Sequence, residues 1–157
     1  MVSLSRFSFK VKRDGSVTVS LDDDERNLLR AVFGELRDLL LVDDDDGLRR
    51  LYPTAYPNDA ERDAGFQALV HGELLEKRLA ALDEVEATVD AEVLTVEQLH
   101  MWMTTINEIR LVLGTKLDVS ENDTSFDPDA PNAQAVAVYM HLGYLLEQIV
   151  SALTATL

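Results

Sequence analysis

Glu97 and His100 stand three residues apart in a segment with helical spacing, the Glu-x-x-His arrangement of di-iron bundles. Such a site needs a second copy and two further glutamates, and the chain has no second copy. The other histidines, His71 and His141, also fall in segments that read as helices. A single helical histidine is more often a surface or satisfied core residue than a ligand. Residues 118–129 are acidic enough to suggest a calcium loop but lack the central glycine and closing glutamate of an EF-hand. The run 43–46 reads as a solvated linker. No Gly-rich phosphate loop and no Ser/His/Asp motif is present. The reading therefore assigns no catalytic residue, no metal and no cofactor.

Two charges stand out for their position. At 100° per residue Arg110 falls inside an apolar stripe, between Ile106 and Leu113. Glu147 falls inside another, between Gly143 and Val150. A charge that faces a core must be paired, so Arg110 and Glu147 are expected to form a structural buried ion pair that fixes helix register. The competing reading makes them, with Tyr144, the polar lining of a ligand or partner groove.

The elements that must position these residues are mostly helical. Residues 6–21 read as a β-hairpin. A three-residue loop at Arg13, Asp14 and Gly15 pairs Val11 with Val17, Phe9 with Val19 and Phe7 with Leu21. This puts every apolar side chain on one face; a two-residue loop would mix the faces. Asp22 and Glu25 open a first helix with capping-box spacing, and Leu28, Leu29, Val32, Phe33, Leu36, Leu39 and Leu40 form its one wide stripe. Tyr52-Pro53 and Tyr56-Pro57 mark a connecting loop. Asn58 and Glu61 open a second helix, for which Gly65 and Gly72 suggest a bend or break near Gly72. Its apolar residues drift around the helix, which suggests self-association as a homodimer. Thr95 and Gln98 box a third helix whose stripe is Leu99, Trp102, Met103, Ile106, Leu113 and Leu117. A last helix over about 132–153 shows Val136, Tyr139, Met140, Gly143 and Val150 on one face. The expected fold is mainly α: one domain over 1–157, with a 6–21 hairpin, a bundle of about four main helices over 22–157, and acidic loops near 43–47 and 118–131.

Composition bounds the function class. With 14 basic and 29 acidic residues the net charge is −15, and there is no cysteine. Disulfides, thiolate chemistry and cysteine metal sites are excluded. Residues 1–13 carry +4 from Arg6, Lys10, Lys12 and Arg13 with no acid, which leaves −19 on residues 14–157. Such a chain repels nucleic acid and anionic membranes, so neither is an expected partner. No signal-peptide pattern opens it, and no apolar stretch reaches the ~18 residues of a bilayer span, which points to the cytoplasm. The basic strand, with Arg6, Lys10 and Lys12, is a possible interaction surface, together with Tyr52, Tyr56 and Tyr144.

Several segments together resemble an actinobacterial family known as a domain of unknown function and encoded near ClpS adaptor genes. They are Leu51-Tyr52-Pro53 with Ala55-Tyr56-Pro57, Asp59 and Phe66; Trp102 with the block from Asn107 through Arg110 to Leu117; and Leu142-Gly143-Tyr144-Leu145 with Glu147. Some members are described as oxidative-stress-responsive transcription regulators of the AosR type, acting through a sigma factor and RNA polymerase. The resemblance implies a non-enzymatic regulator that works by protein–protein contact. The family's gene neighbours suggest an alternative, an adaptor or scaffold in Clp-linked proteolysis. A third possibility is a ligand-binding or enzymatic helical domain with a groove around Arg110 and Glu147.

Overall fold

The structure is a computed structural model that describes residues 8–42, 58–117, 129 and 131–155, with the side chains of 67–71 left aside. Its elements run β1 (Phe9–Val11), β2 (Ser16–Val19), α1 (Asp23–Val42), α2 (Ala60–Ala87), β3 (Val93–Thr95), α3 (Val96–Leu117) and α4 (Ala133–Thr154). The architecture is mainly α, with a small antiparallel sheet packed on the helices.

The hairpin has the register that a single apolar face demands: Phe9 opposite Val19, Lys10 opposite Thr18, Val11 opposite Val17. Gly15 closes the loop at φ +87°, a left-handed conformation that only glycine adopts without strain. The Asp14 carboxylate accepts from the Ser16 amide at 2.9 Å and the Ser16 hydroxyl at 2.6 Å, which holds its pKa below the usual carboxylate value. The Phe7–Leu21 pairing lies outside the described residues.

β2 gains a second neighbour that periodicity did not reveal. β3 pairs antiparallel with it, Val17 opposite Leu94, and completes a sheet of order β1-β2-β3. The inner face of the sheet buries Phe9, Val17, Val19 and Leu94. Trp102 of α3 stands between sheet and helices. Phe9 and Phe33 meet its ring edge-on, with centroids 6.0 and 6.4 Å away. Its indole N–H donates to the Thr88 hydroxyl at 2.8 Å, so the buried polar end is satisfied.

Helix starts follow their capping chemistry. At α1 the Glu25 amide donates to Asp22 Oδ1 at 2.8 Å. At α3 the Gln98 amide donates to Thr95 Oγ1 at 3.0 Å, and Gln98 Oε1 accepts from the Thr95 amide at 2.9 Å. The expected Asn58–Glu61 box does not form. Asp59 caps α2 instead, accepting from the Arg62 amide at 3.1 Å, because the helix begins one residue later, at Ala60. Nor does α2 break at Gly72; the helix runs continuously through it.

The buried face of α3 keeps Leu99, Trp102 and Ile106 of the predicted stripe and adds Ile109 and Val112, whereas the buried face of α4 is turned from the predicted one. α3 buries Leu99, Trp102, Thr105, Ile106, Ile109 and Val112, while Met103, Leu113 and Leu117 lie at the margin. α4 buries Leu142, Leu145, Ile149, Ala152 and Leu153 and leaves Met140 and Val150 about half exposed. The cause is that α4 is apolar on nearly every side, so its periodicity does not single out one face. Among the described residues it is also one helix long and apolar enough to match a bilayer span, contrary to expectation. Some 28% of its apolar window is buried inside the protein.

Candidate functional site

Arginines tie the helices together. Arg26 is buried at the start of α1, where its guanidinium donates to the carbonyls of Leu21 at 3.2 Å, Val89 at 2.8 Å and Ala91 at 3.0 Å. Three backbone acceptors satisfy a charge that would otherwise be costly to enclose. Arg37 of α1 reaches Asp83 at 2.7 Å and Glu86 at 2.8 Å on α2. Arg30 pairs with Asp90 at 2.6 Å and lowers the pKa of that carboxyl. Arg78 of α2 meets Glu108 of α3 at 3.3 Å, both side chains mostly enclosed. Burial still raises the Glu108 pKa above the ordinary glutamate value, against the pull of Arg78.

The internal ion pair of α3 is thus Arg78–Glu108, and the expected Arg110–Glu147 pair is not formed. Glu147 is exposed, because the core face of α4 is centred on Leu142, Leu145 and Ile149, on the other side of the helix. Arg110 lies at the edge of the α3–α4 contact. Its guanidinium carbon sits 4.6 Å from the centre of the Tyr139 ring, a cation–π contact. A Cβ at position 143 would come within 3.0 Å of Arg110 Nε, so Gly143 is what lets the side chain lie across α4. That Nε is buried without a hydrogen-bond partner. Neither Arg110 nor Glu147 makes an ion pair or hydrogen bond with another described residue.

The proposed surface residues separate in space. Lys10 is exposed on β1, and Lys12 and Arg13 are exposed in the turn that follows it. Tyr144 is 47% exposed on α4 and stacks on His141, whose Nε2 lies 3.5 Å from Glu25 of α1. Arg6, Tyr52 and Tyr56 lie outside the described residues. Glu97 and His100 are both exposed, and no group of three candidate metal ligands occurs among the described residues.

A cleft of about 500 Å³ opens between α1, α3 and the start of α4. Its walls are mostly apolar, including Leu28, Leu36, Leu39, Val112 and Val138, with Glu35 and Lys116 at its edge. The cleft is a feature the sequence did not reveal. It is separate from the groove expected around Arg110, Glu147 and Tyr144, none of which line it.

These elements define a mainly helical protein with a small antiparallel sheet docked on its core. The family model described as a domain of unknown function (DUF2017) matches residues 6–153, and the chain belongs to that family. Neither a curated protein nor a solved structure matches it.

Proposed function

We propose that this chain is a non-enzymatic, cytoplasmic regulatory protein that acts by binding other proteins in transcription or the stress response, with a sigma factor or RNA polymerase as partner. The observation that carries the reading is how charge is sorted. Arg26, Arg30, Arg37 and Arg78 are held in contacts that join elements of the body. Exposed acids such as Asp23, Asp24, Glu35, Asp38, Glu73 and Glu76 dominate the helical surface, while Lys10, Lys12 and Arg13 project from the sheet. A surface with separated signs orients a partner of complementary charge and speeds its encounter. The resemblance to AosR-type regulators supports the same class of partner. Because the sequence has no cysteine, it does not sense an oxidative signal through a thiol of its own; another signal or another protein does the sensing.

The test is affinity capture with the full chain, identifying what is retained. The wild type should retain a sigma factor or RNA polymerase. A variant carrying Lys10→Glu, Lys12→Glu and Arg13→Glu should retain at least ~10-fold less, as expected when steering charges are reversed. Retention of neither partner would overturn the proposal. Recovery of Clp subunits in their place would move the reading to an adaptor in regulated proteolysis.

A further inference from the structure

We infer that two copies of this chain associate through the outer flank of α4, and that Arg110 of each copy pairs with Glu147 of the other. The inference does not depend on which other protein the chain binds.

α4 carries a second face beside its core face, and among the described residues only the core face is fully buried. The core takes Leu142, Leu145 and Ile149. The other face is Val136, Met140, Gly143, Glu147, Val150 and Thr154, whose spacing of four and three residues in alternation is that of a heptad seam. Met140 and Val150 on this seam are 49% and 47% exposed. Met140 and Val150 flank the polar centre of the seam, Gly143 under Arg110 and Glu147, so apolar and charged positions alternate along it.

Charge decides the occupant. The seam holds one acid, Glu147, and is flanked by one cation, Arg110, which lies across Gly143. Neither has an ionic partner among the described residues. A guanidinium is best matched by a carboxylate, which can approach the outer nitrogens of Arg110. A two-fold axis at the level of Leu145 that sets two α4 helices antiparallel pairs position 140 with 150 and position 143 with 147. Met140 then meets Val150 of the second copy. The Arg110 guanidinium, above Gly143, meets Glu147 of the second copy, and symmetry repeats both contacts. The surface is therefore complementary to itself in shape pattern and in charge. An unrelated partner would have to reproduce both.

The test is sedimentation velocity of the full chain across a concentration series. Wild type should dimerise. Glu147→Arg sets Arg110 against a new arginine, and Arg110→Glu sets Glu147 against a new glutamate. Each variant alone should associate more than ~100-fold more weakly, since two like-charge pairs form per dimer. Mixed in equal amounts, the two variants should form a heterodimer, because both cross-pairs are then opposite in sign. A wild type that stays monomeric at every concentration would overturn the inference. So would single variants that dimerise like the wild type, or a mixture that stays monomeric. Should Arg110→Glu fail to fold, Glu147→Arg and Val150→Asp at exposed sites carry the test. Both must keep the wild-type circular-dichroism spectrum and lose the dimer; a retained dimer in either refutes the seam.

Discussion

Replacing Arg26 by methionine keeps much of the aliphatic packing and removes the donors. In the wild type those donors reach Leu21, Val89 and Ala91 over 2.8 to 3.2 Å, joining the start of α1 to the chain segment that leads from α2 into β3. A hydrogen bond to a charged group contributes ~1.5–3 kcal/mol, but three bonds from one guanidinium are not independent. A loss of ~3–4 kcal/mol is expected, a large share of the ~5–15 kcal/mol that holds an ordinary domain together. At this chain length that lowers the melting temperature by ~10 °C. Urea denaturation followed by circular dichroism should show a lower midpoint with an unchanged slope. Arg26→Lys should recover only part of the loss, because one ammonium cannot span the same acceptors. Arg30→Ala, one turn further along at an exposed pair, should leave the midpoint near that of the wild type. A loss below ~1 kcal/mol for Arg26→Met would refute the claim that this arginine fastens the two ends together.

Glu108 holds its proton at a higher pH than an unfolded glutamate does. Between those two values the native state binds more protons, so stability should fall as pH rises through that window. Glu108→Gln should erase this step, and a pH–stability profile identical to that of the wild type would contradict it. Thr95→Ala removes the acceptor for the Gln98 amide and should cost ~1 kcal/mol in chemical denaturation, with no change if the cap is idle. Gly15→Ala forces a Cβ into the left-handed region and should cost ~1–2 kcal/mol, although nothing crowds the site sterically. No loss of stability in that variant would mean that the turn relaxes.

Local chemistry was legible in the sequence wherever a few adjacent residues decide it. The hairpin register followed from Phe9, Val11, Val17 and Val19, and the capping boxes at Asp22 and Thr95 from side chains three residues apart. β3 was missed because three residues are too few to show alternation, and Leu94 and Thr95 also read as a helix start. On α3 the stripe is legible at Leu99, Trp102 and Ile106, with Ile109 and Val112 buried beside it; on α4, apolar on nearly every side, periodicity ranks no face above another. Arg110 and Glu147 were recognised as charges within apolar stripes, but the stripe on α4 proved to be the outer one. Arg26 left no trace at all. Two of its acceptors are backbone carbonyls 63 and 65 residues away, brought near only by the packing of α1 against the end of α2.

The basic strand is the most directly testable part of the account. Affinity of the purified full chain for purified RNA polymerase with its sigma factor, measured over a range of salt concentrations, compares the wild type with Lys10→Glu/Lys12→Glu. The account predicts that the wild type binds, that its affinity falls as salt rises, and that the variant binds at least ~10-fold more weakly at low salt. Equal binding by the two proteins, or no binding by the wild type, would contradict it.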